Sequence, residues 1–546
     1  MRDATPRARL TNEAVASAPA GLEASASFNL AWSVYATAER LPDAVALHVD
    51  GQALTYSELR ARVQPVAAWL ASASHRPVER VAIFARRSLE TYLGVLGACW
   101  AGGTYVPLNP ALPAERLAQM LDAIQPEAII VDRAHLPLLT PRLRGKARLL
   151  SPCTEEASPP GSPSPEGSGA LRPYDHADTP RPILPAHAAY IAFTSGTTGV
   201  PKGVMVPARA VEQFLAVTRG FFELGPTDRT AALSEITFDL SVFDMFATWD
   251  RGAALYVVPA SQLLAPLGYL QQQAITVAFF VPSMVRLLDR MKLLRPNGLP
   301  SMRLSLIAGE PLPLTLAESW SAAAPASVVQ NFYGPTEATV ACSGQPFEGS
   351  ARTPSVRGIV SIGRPFPGTR LAVLDEERRP APPGTAGQLA IAGAQLALGY
   401  YGAPEQTAQR FVSLADGDRW YLTGDQAVAD AEGRFFYLGR LDNQVKVRGH
   451  RVELEEVEAH LRAVAAVDAV AVVAWPLRDG SADGLVAFVA AELPPARAAE
   501  LRKSLRARLP PHMVPTALHF LPALPLSPNG KIDRQALVAR LDARQP

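Results

Sequence analysis

Cysteine is scarce: Cys99, Cys153 and Cys342 are the three in 546 residues, and they lie far apart. They offer neither metal-ligand spacing nor a disulfide framework, so a reducing cytoplasm is the expected setting. An excess of either charge is also lacking. Lys and Arg total 52 against 51 Asp and Glu, a net charge of +1. That gives no electrostatic reason to expect nucleic acid or an anionic membrane as partner. No run approaches the roughly 18 apolar residues of a membrane span. Residues 1–27 are Ala-rich with scattered charge and no continuous apolar segment. They do not read as a secretory signal; a disordered leader is expected there. A Gly-x-Ser-x-Gly nucleophile elbow is absent, which argues against a hydrolase of that type.

What is present is a long chain with ample apolar content. Hydrophobic residues make up 48% of it, and the length calls for two or more domains. Strand-like runs at 81–84, 104–108, 128–131, 276–281, 304–307 and 327–329 alternate with helical patterns such as 89–100 and 117–124. That alternation predicts α/β sheets. Segment 151–185 is crowded with Pro, Ser, Gly and acids; it cannot bury a core and reads as a flexible excursion. Runs at 371–374, 387–392 and 435–438 are richer in strand. After about residue 442 the style changes to a compact α+β unit, with helices over 453–464 and 495–509 and strands over 469–474 and 485–491. The expected organisation is a core over 28–441 and a small C-terminal domain over 442–546.

The stretch that organises the reading is Tyr190-Ile191-Ala192-Phe193-Thr194-Ser195-Gly196-Thr197-Thr198-Gly199-Val200-Pro201-Lys202-Gly203. A buried strand ends in a loop of Gly and small hydroxyls with one Lys. Glycines let backbone N–H groups crowd an anion, and hydroxyls add donors. The spacing is not the Walker pattern, because Lys202 is followed by Gly203. A phosphate loop of another kind and a plain surface turn both remain open at this point. Other stretches are similarly two-sided. Asn331-Phe332-Tyr333-Gly334-Pro335-Thr336-Glu337 offers a ring, an amide and an oxygen ligand for a hard cation, or a Gly-Pro turn. In Thr423-Gly424-Asp425 a carboxylate follows a strand and a Gly, as in sites that take a sugar's hydroxyls, or makes an ordinary turn. The charged run 439–453 reads as a solvated hairpin. Lys531 follows Pro528-Asn529-Gly530, so a tight loop presents its ammonium. Asp239, in Phe238-Asp239-Leu240-Ser241, sits in an apolar segment; it caps a helix or awaits a cation.

Taken in series, segments 194–203, 238–241, 331–337, 387–400, 421–425, 439–453 and 529–534 resemble the adenylate-forming enzymes. Among these, they are most similar to the amino-acid adenylation domains of nonribosomal peptide synthetases. The resemblance runs from about residue 30 to the end. It implies a large N-terminal domain with two helix-flanked sheets and a small β-barrel, and a small mobile α+β C-terminal domain. It implies two half-reactions: a carboxylate attacks the α-phosphate of ATP, and a carrier protein's phosphopantetheine thiol then takes the acyl group. Thr194, Ser195, Gly196, Thr197, Thr198 and Lys202 resemble the loop that holds pyrophosphate. Glu337 matches the Mg²⁺ ligand. Asn331, Tyr333, Gly334 and Thr336 match the adenine side of the site. Asp425 and Arg440 match ribose-holding positions, and Asp442 the hinge. Lys531 matches the lysine that bridges the substrate carboxylate and phosphate, where a fixed cation stabilises the transition state.

The resemblance also gives a pocket. Asp239 matches the partner of an α-ammonium, which disfavours fatty or aryl acids. Leu240, Phe243, Phe280, Leu306, Ala308, Phe332, Val340 and Ala341 match the side-chain positions. They carry no second charge, and three phenylalanines narrow the space. A small apolar amino acid is expected, L-proline first, with alanine or valine as alternatives. An acyl-CoA ligase acting on a plain carboxylic acid is the competing activity. No carrier-protein Ser motif and no His-His condensation motif is found, so a free-standing ligase that loads a separate carrier is expected. The basic helix bearing Arg497, Arg502, Lys503 and Arg506 is a candidate contact for it, or a solvated face.

Overall fold

The structure is a computed structural model that describes residues 28–72, 78–153, 178–196, 201–478, 480–494, 496–526 and 532–543. The predicted leader and most of the 151–185 excursion lie outside these residues. Two large sheets carry the N-terminal part. One has seven strands, with Thr104–Pro107, Arg80–Phe84, Ala128–Val131 and Arg148–Leu150 running parallel from its centre to one edge. Its other half is the antiparallel pair Ala188–Thr194 and Lys202–Pro207, in which Thr194 faces Lys202, with the short strand Gly399–Tyr400 at the edge. The second sheet has nine strands. Its parallel centre holds Val328–Tyr333, Leu304–Ile307, Val277–Phe280, Arg229–Ala232 and Ala254–Val257.

The helix Leu89–Trp100 is sealed in because its sequence is apolar on nearly every side. All twelve residues of Leu89–Trp100 are buried. Its neighbour Tyr56–Ala71 starts on a reciprocal cap: the Thr55 hydroxyl accepts from the Glu58 amide, and the Glu58 carboxylate accepts from the Thr55 amide. The two helices approach so closely that a Cβ on Gly97 would stand 2.5 Å from Val66 Cγ1. Only a glycine permits that contact. Buried Arg87 ties the sheets together. Its guanidinium donates to the carbonyls of Ala232 (2.9 Å) and Val258 (3.0 Å) and to the Glu235 carboxylate (3.1 Å). A buried charge with this many acceptors is satisfied rather than costly.

A five-stranded antiparallel sheet follows, built on the long strand Arg419–Ala429 between Gly387–Gly393 and Phe435–Arg440. The C-terminal part is smaller. It holds a three-stranded sheet of Val470–Ala474, Leu485–Ala490 and Ala517–Leu521 and a four-stranded one containing the hairpin Gln444–Val447 and His450–Glu453. The helix Leu454–Ala465 packs on it through Leu454, Val457 and Leu461. No helix among the described residues is long and apolar enough to cross a membrane.

Candidate active site

Between the large and small parts lies a cleft of about 1010 Å³. Its walls come from strand ends and the turns that follow them, where the backbone leaves the sheet and side chains are released toward a ligand. Thr194 and Ser195, at the end of their strand, line it, as do Asn331 and Tyr333 in the last half of Val328–Tyr333 and Gly334 and Thr336 just after it. Asp425, Arg440 and Asp442 close it from the five-stranded sheet. Gly334 is required by close packing: a Cβ there would meet Ala341 Cα at 2.5 Å.

Asp239 also lines the cleft. It precedes the short helix Leu240–Val242, yet its side chain makes no capping bond. Its Oδ2 is sealed from solvent and has no hydrogen-bond partner. Burial pushes the carboxyl up to about 6, with the Thr336 hydroxyl and nearby Lys446 pulling the other way. A lone carboxylate oxygen in that state calls for a cation from outside the chain. The helix continues as a single wide turn, Phe243–Ala247, an irregularity often found beside sites.

The side-chain pocket differs from expectation in four places. Leu240, Ala308, Phe332 and Val340 line the cleft. Phe243, Leu306 and Ala341 are buried behind its wall and do not line it. Phe280 points to the opposite face of the sheet, where its ring lies 4.4 Å from that of Trp320. The reason is strand alternation: of two consecutive phenylalanines only one can face each side. The one on the pocket side is Phe279, set edge-on against Phe243 (5.5 Å) and Phe332 (6.1 Å). Phe332 thus lines the cleft, with Phe279 and Phe243 packed behind it.

Polar groups around Tyr333, Asp425 and Arg440 are tightly organised. The Tyr333 hydroxyl donates to Asp425, and Arg440 donates to Asp425 (2.6 Å) and Asp442 (2.6 Å). Arg440 in turn holds Asp442 below the usual carboxylate range, against the opposing effect of burial. The Asn331 amide donates to the Ser361 carbonyl (2.9 Å), which fixes its orientation at the cleft wall. Glu337 is fully buried. Its carboxylate accepts from Arg451 (3.1 Å to each oxygen) and from the Tyr400 hydroxyl (2.9 Å). Burial raises this acid, but Arg451 and the hydrogen bonds to its carboxylate together outweigh it, and the net shift is downward. Lys202 begins its strand away from the cleft wall, 5.6 Å from the Tyr400 ring, and burial lowers its pKa. Thr197, Thr198 and Lys531 lie outside the described residues.

The charged run 439–453 does not make a solvated hairpin. Lys446, Gly449, His450 and Arg451 face the cleft. Glu310, which follows Leu304–Ile307, accepts from the Gly449 amide (2.6 Å), the Ser481 hydroxyl (2.6 Å) and, on its other oxygen, the Ser283 amide (2.6 Å). Arg116 pairs with Glu456, and the Ser195 hydroxyl donates to the Arg451 carbonyl (3.0 Å). The His450 and His512 rings stack at 3.8 Å beside Phe238. These cross-contacts join residues hundreds of positions apart, which no local pattern signals.

A family model described as AMP-binding enzyme matches residues 34–401, and one described as AMP-binding enzyme C-terminal domain matches residues 456–531. The chain belongs to the AMP-binding enzyme family. It is an adenylation domain of the kind found in nonribosomal peptide synthetases, an AMP-forming ligase that works with ATP and Mg²⁺. The dimodular nonribosomal peptide synthase of Bacillus subtilis is 35% identical over 513 residues, 91% of this chain, but the chain spans only 21% of that protein's length. Among solved structures, the Vibrio cholerae adenylation domain AlmE in complex with glycyl-adenosine-5'-phosphate is similar with a TM-score of 0.83 and 30% identity, over 96% of this chain and 99% of that one. NpsA-ThdA, an artificially fused adenylation-PCP di-domain from Klebsiella oxytoca, gives a TM-score of 0.75 at 25% identity, over 90% of this chain and 94% of that one.

The donor set fits the metal. No cluster of three or more His, Cys, Asp or Glu that could hold a metal occurs among the described residues. A single buried carboxylate such as Glu337 suits Mg²⁺ when nucleotide phosphates supply the rest of its oxygen shell, once Arg451 has withdrawn from its two oxygens.

Proposed function

We propose that this adenylation domain activates a small amino acid, glycine first, and passes the aminoacyl group to the phosphopantetheine thiol of a separate carrier protein. The observation that carries the reading is Asp239 Oδ2, buried in the cleft without a partner. A fatty or aryl acid would leave that oxygen orphaned, whereas an α-ammonium gives it a charge-assisted bond.

Two further features support the size. Phe332 lines the cleft, and Phe279 and Phe243 pack edge-on behind it, so that wall is rigid and built of bulky rings. The structurally similar AlmE holds a glycyl adenylate. Proline, alanine and valine follow glycine in the same reading. The carrier is supported by the similarity to a di-domain that joins adenylation and PCP units.

The residues divide the work. Asp239 orients the amine and so aims the carboxylate at the α-phosphate. Tyr333 offers a flat face to adenine and Asn331 an amide oxygen to its amino group. Asp425, held by Arg440, takes the ribose hydroxyls. Thr194 and Ser195 donate to the phosphates, and Lys531 neutralises the oxygens that gain charge in the transition state. Glu337 would hold Mg²⁺, which supplies charge neutralisation on the phosphates. Asp442 is the pivot on which the small part turns between half-reactions.

Exchange of labelled pyrophosphate into ATP, screened over all amino acids plus aryl and fatty acids, tests this. Exchange that is greatest with glycine or another small amino acid supports it. Exchange only with ammonium-free acids overturns it in favour of an acyl-CoA ligase.

A further inference from the structure

Two charged side chains of the small part occupy the groups that the adenylation reading assigns to magnesium and phosphate. Arg451 places Nη1 3.1 Å from each oxygen of Glu337. Glu456 accepts from the Gly196 amide (3.1 Å) through one oxygen and pairs with Arg116 through the other. A cation therefore sits on the metal ligand, and a carboxylate sits on an amide of the phosphate loop. Both are buried placements: Glu337 and Glu456 are fully enclosed and Arg116 nearly so.

We infer that Arg451 and Glu456 are an internal stand-in for magnesium pyrophosphate, positioning residues that dock the small part only after that product leaves. The inference rests on the adenylation reading. Both Glu337 oxygens are taken by Arg451, so the metal and the docked guanidinium exclude each other. A buried carboxylate needs one cation and does not remain uncompensated. The Gly196 N–H has one bond to give, so Glu456 and a phosphate oxygen compete for it. Like charges replace like charges, and neither site is left empty when the domains rearrange. Docking of the hairpin Gln444–Val447 and His450–Glu453, with Gly449 anchored on Glu310, is thereby tied to release of the diphosphate. The consequence is direction: once docked, the chain no longer holds the reagent that would return the adenylate to ATP.

The test is the affinity of the full-length protein for pyrophosphate with saturating Mg²⁺, measured by calorimetry. Removing a competitor of the ligand tightens binding, while damage to the site weakens it. Arg451→Gln and Glu456→Gln should each bind magnesium pyrophosphate about tenfold more tightly than the parent, the size expected for one charge-assisted bond. Arg451→Lys, which keeps the cation, should stay close to the parent. Unchanged or weaker binding in both Gln variants overturns the inference, as does a Lys variant that matches Gln. If one Gln variant does not fold, the other decides. Failure of the parent to bind magnesium pyrophosphate at all counts against the adenylation reading itself.

Discussion

Asp239→Asn separates a binding role from a structural one, because the two predict opposite changes in stability. In the wild type the buried carboxyl titrates at about 6 instead of 3.8, a difference worth ~3 kcal/mol. The sign follows from linkage. The folded pKa lies above the unfolded one, so folding favours the protonated acid, and that stability is present below pH ~4 and lost as pH rises through about 6. Above that range the ligand-free protein carries a buried anion, one of whose oxygens has no hydrogen bond, and Asn lacks that charge. The variant should therefore melt no lower than the wild type at pH 7.5, with a gain of at most ~3 kcal/mol that fades as pH falls from about 6 toward 4. Its activity should move the other way, since leaving a buried ammonium without its counter-charge costs ~2–5 kcal/mol. Amino-acid-dependent exchange of pyrophosphate into ATP would fall by more than about thirtyfold in kcat/KM. The assays are thermal denaturation across pH 4–8 and the exchange rate. A variant that melts clearly lower at pH 7.5, or that keeps wild-type exchange, would refute the reasoning.

Other outcomes follow from the same geometry. Lys531→Ala should cut adenylation by roughly 10²–10³ with an unchanged melting temperature; turnover close to wild type would remove the lysine from the mechanism. Phe332→Ala should open the wall beyond Asp239 and raise exchange with valine and leucine relative to glycine, at a stability cost of ~3–5 kcal/mol. An unaltered preference order would show that the three rings do not set size. Gly97→Ala places a methyl 2.5 Å from Val66 Cγ1, and overpacking of ~1–3 kcal/mol should exceed the helix-propensity gain. A melting temperature equal to or above the wild type would contradict the packing described for the two helices.

Much of the framework is legible in the residues because it is set by local rules. The helix Leu89–Trp100 is read correctly to its last residue, since its sequence is apolar all round and ends at a Gly pair. The strands Ala128–Val131 and Leu304–Ile307 are bounded by turn residues and stand where their apolar runs do. The irregular pieces are less visible. The wide turn Phe243–Ala247 interrupts a helix with no Pro or Gly to mark it. Phe280 shows how register escapes a sequence: two adjacent phenylalanines fit a strand equally well, and only the packing of Phe279 against Phe243 and of Phe280 against Trp320 decides which one faces the pocket. Arg451, Glu456, Arg116 and Glu310 lie in stretches that look like ordinary surface charge. Their partners come from the other part of the chain, so their roles exist only once the two parts meet.

The central claim is tested most directly by a crystal structure with a non-hydrolysable glycyl-adenylate analogue. The account predicts the ligand's ammonium about 2.7–2.9 Å from Asp239 Oδ2, with the Cα of the ligand facing the rings of Phe279 and Phe332. An analogue whose amine points to solvent, or a carboxylate of Asp239 turned away from the cleft and bonded within the protein, would contradict it.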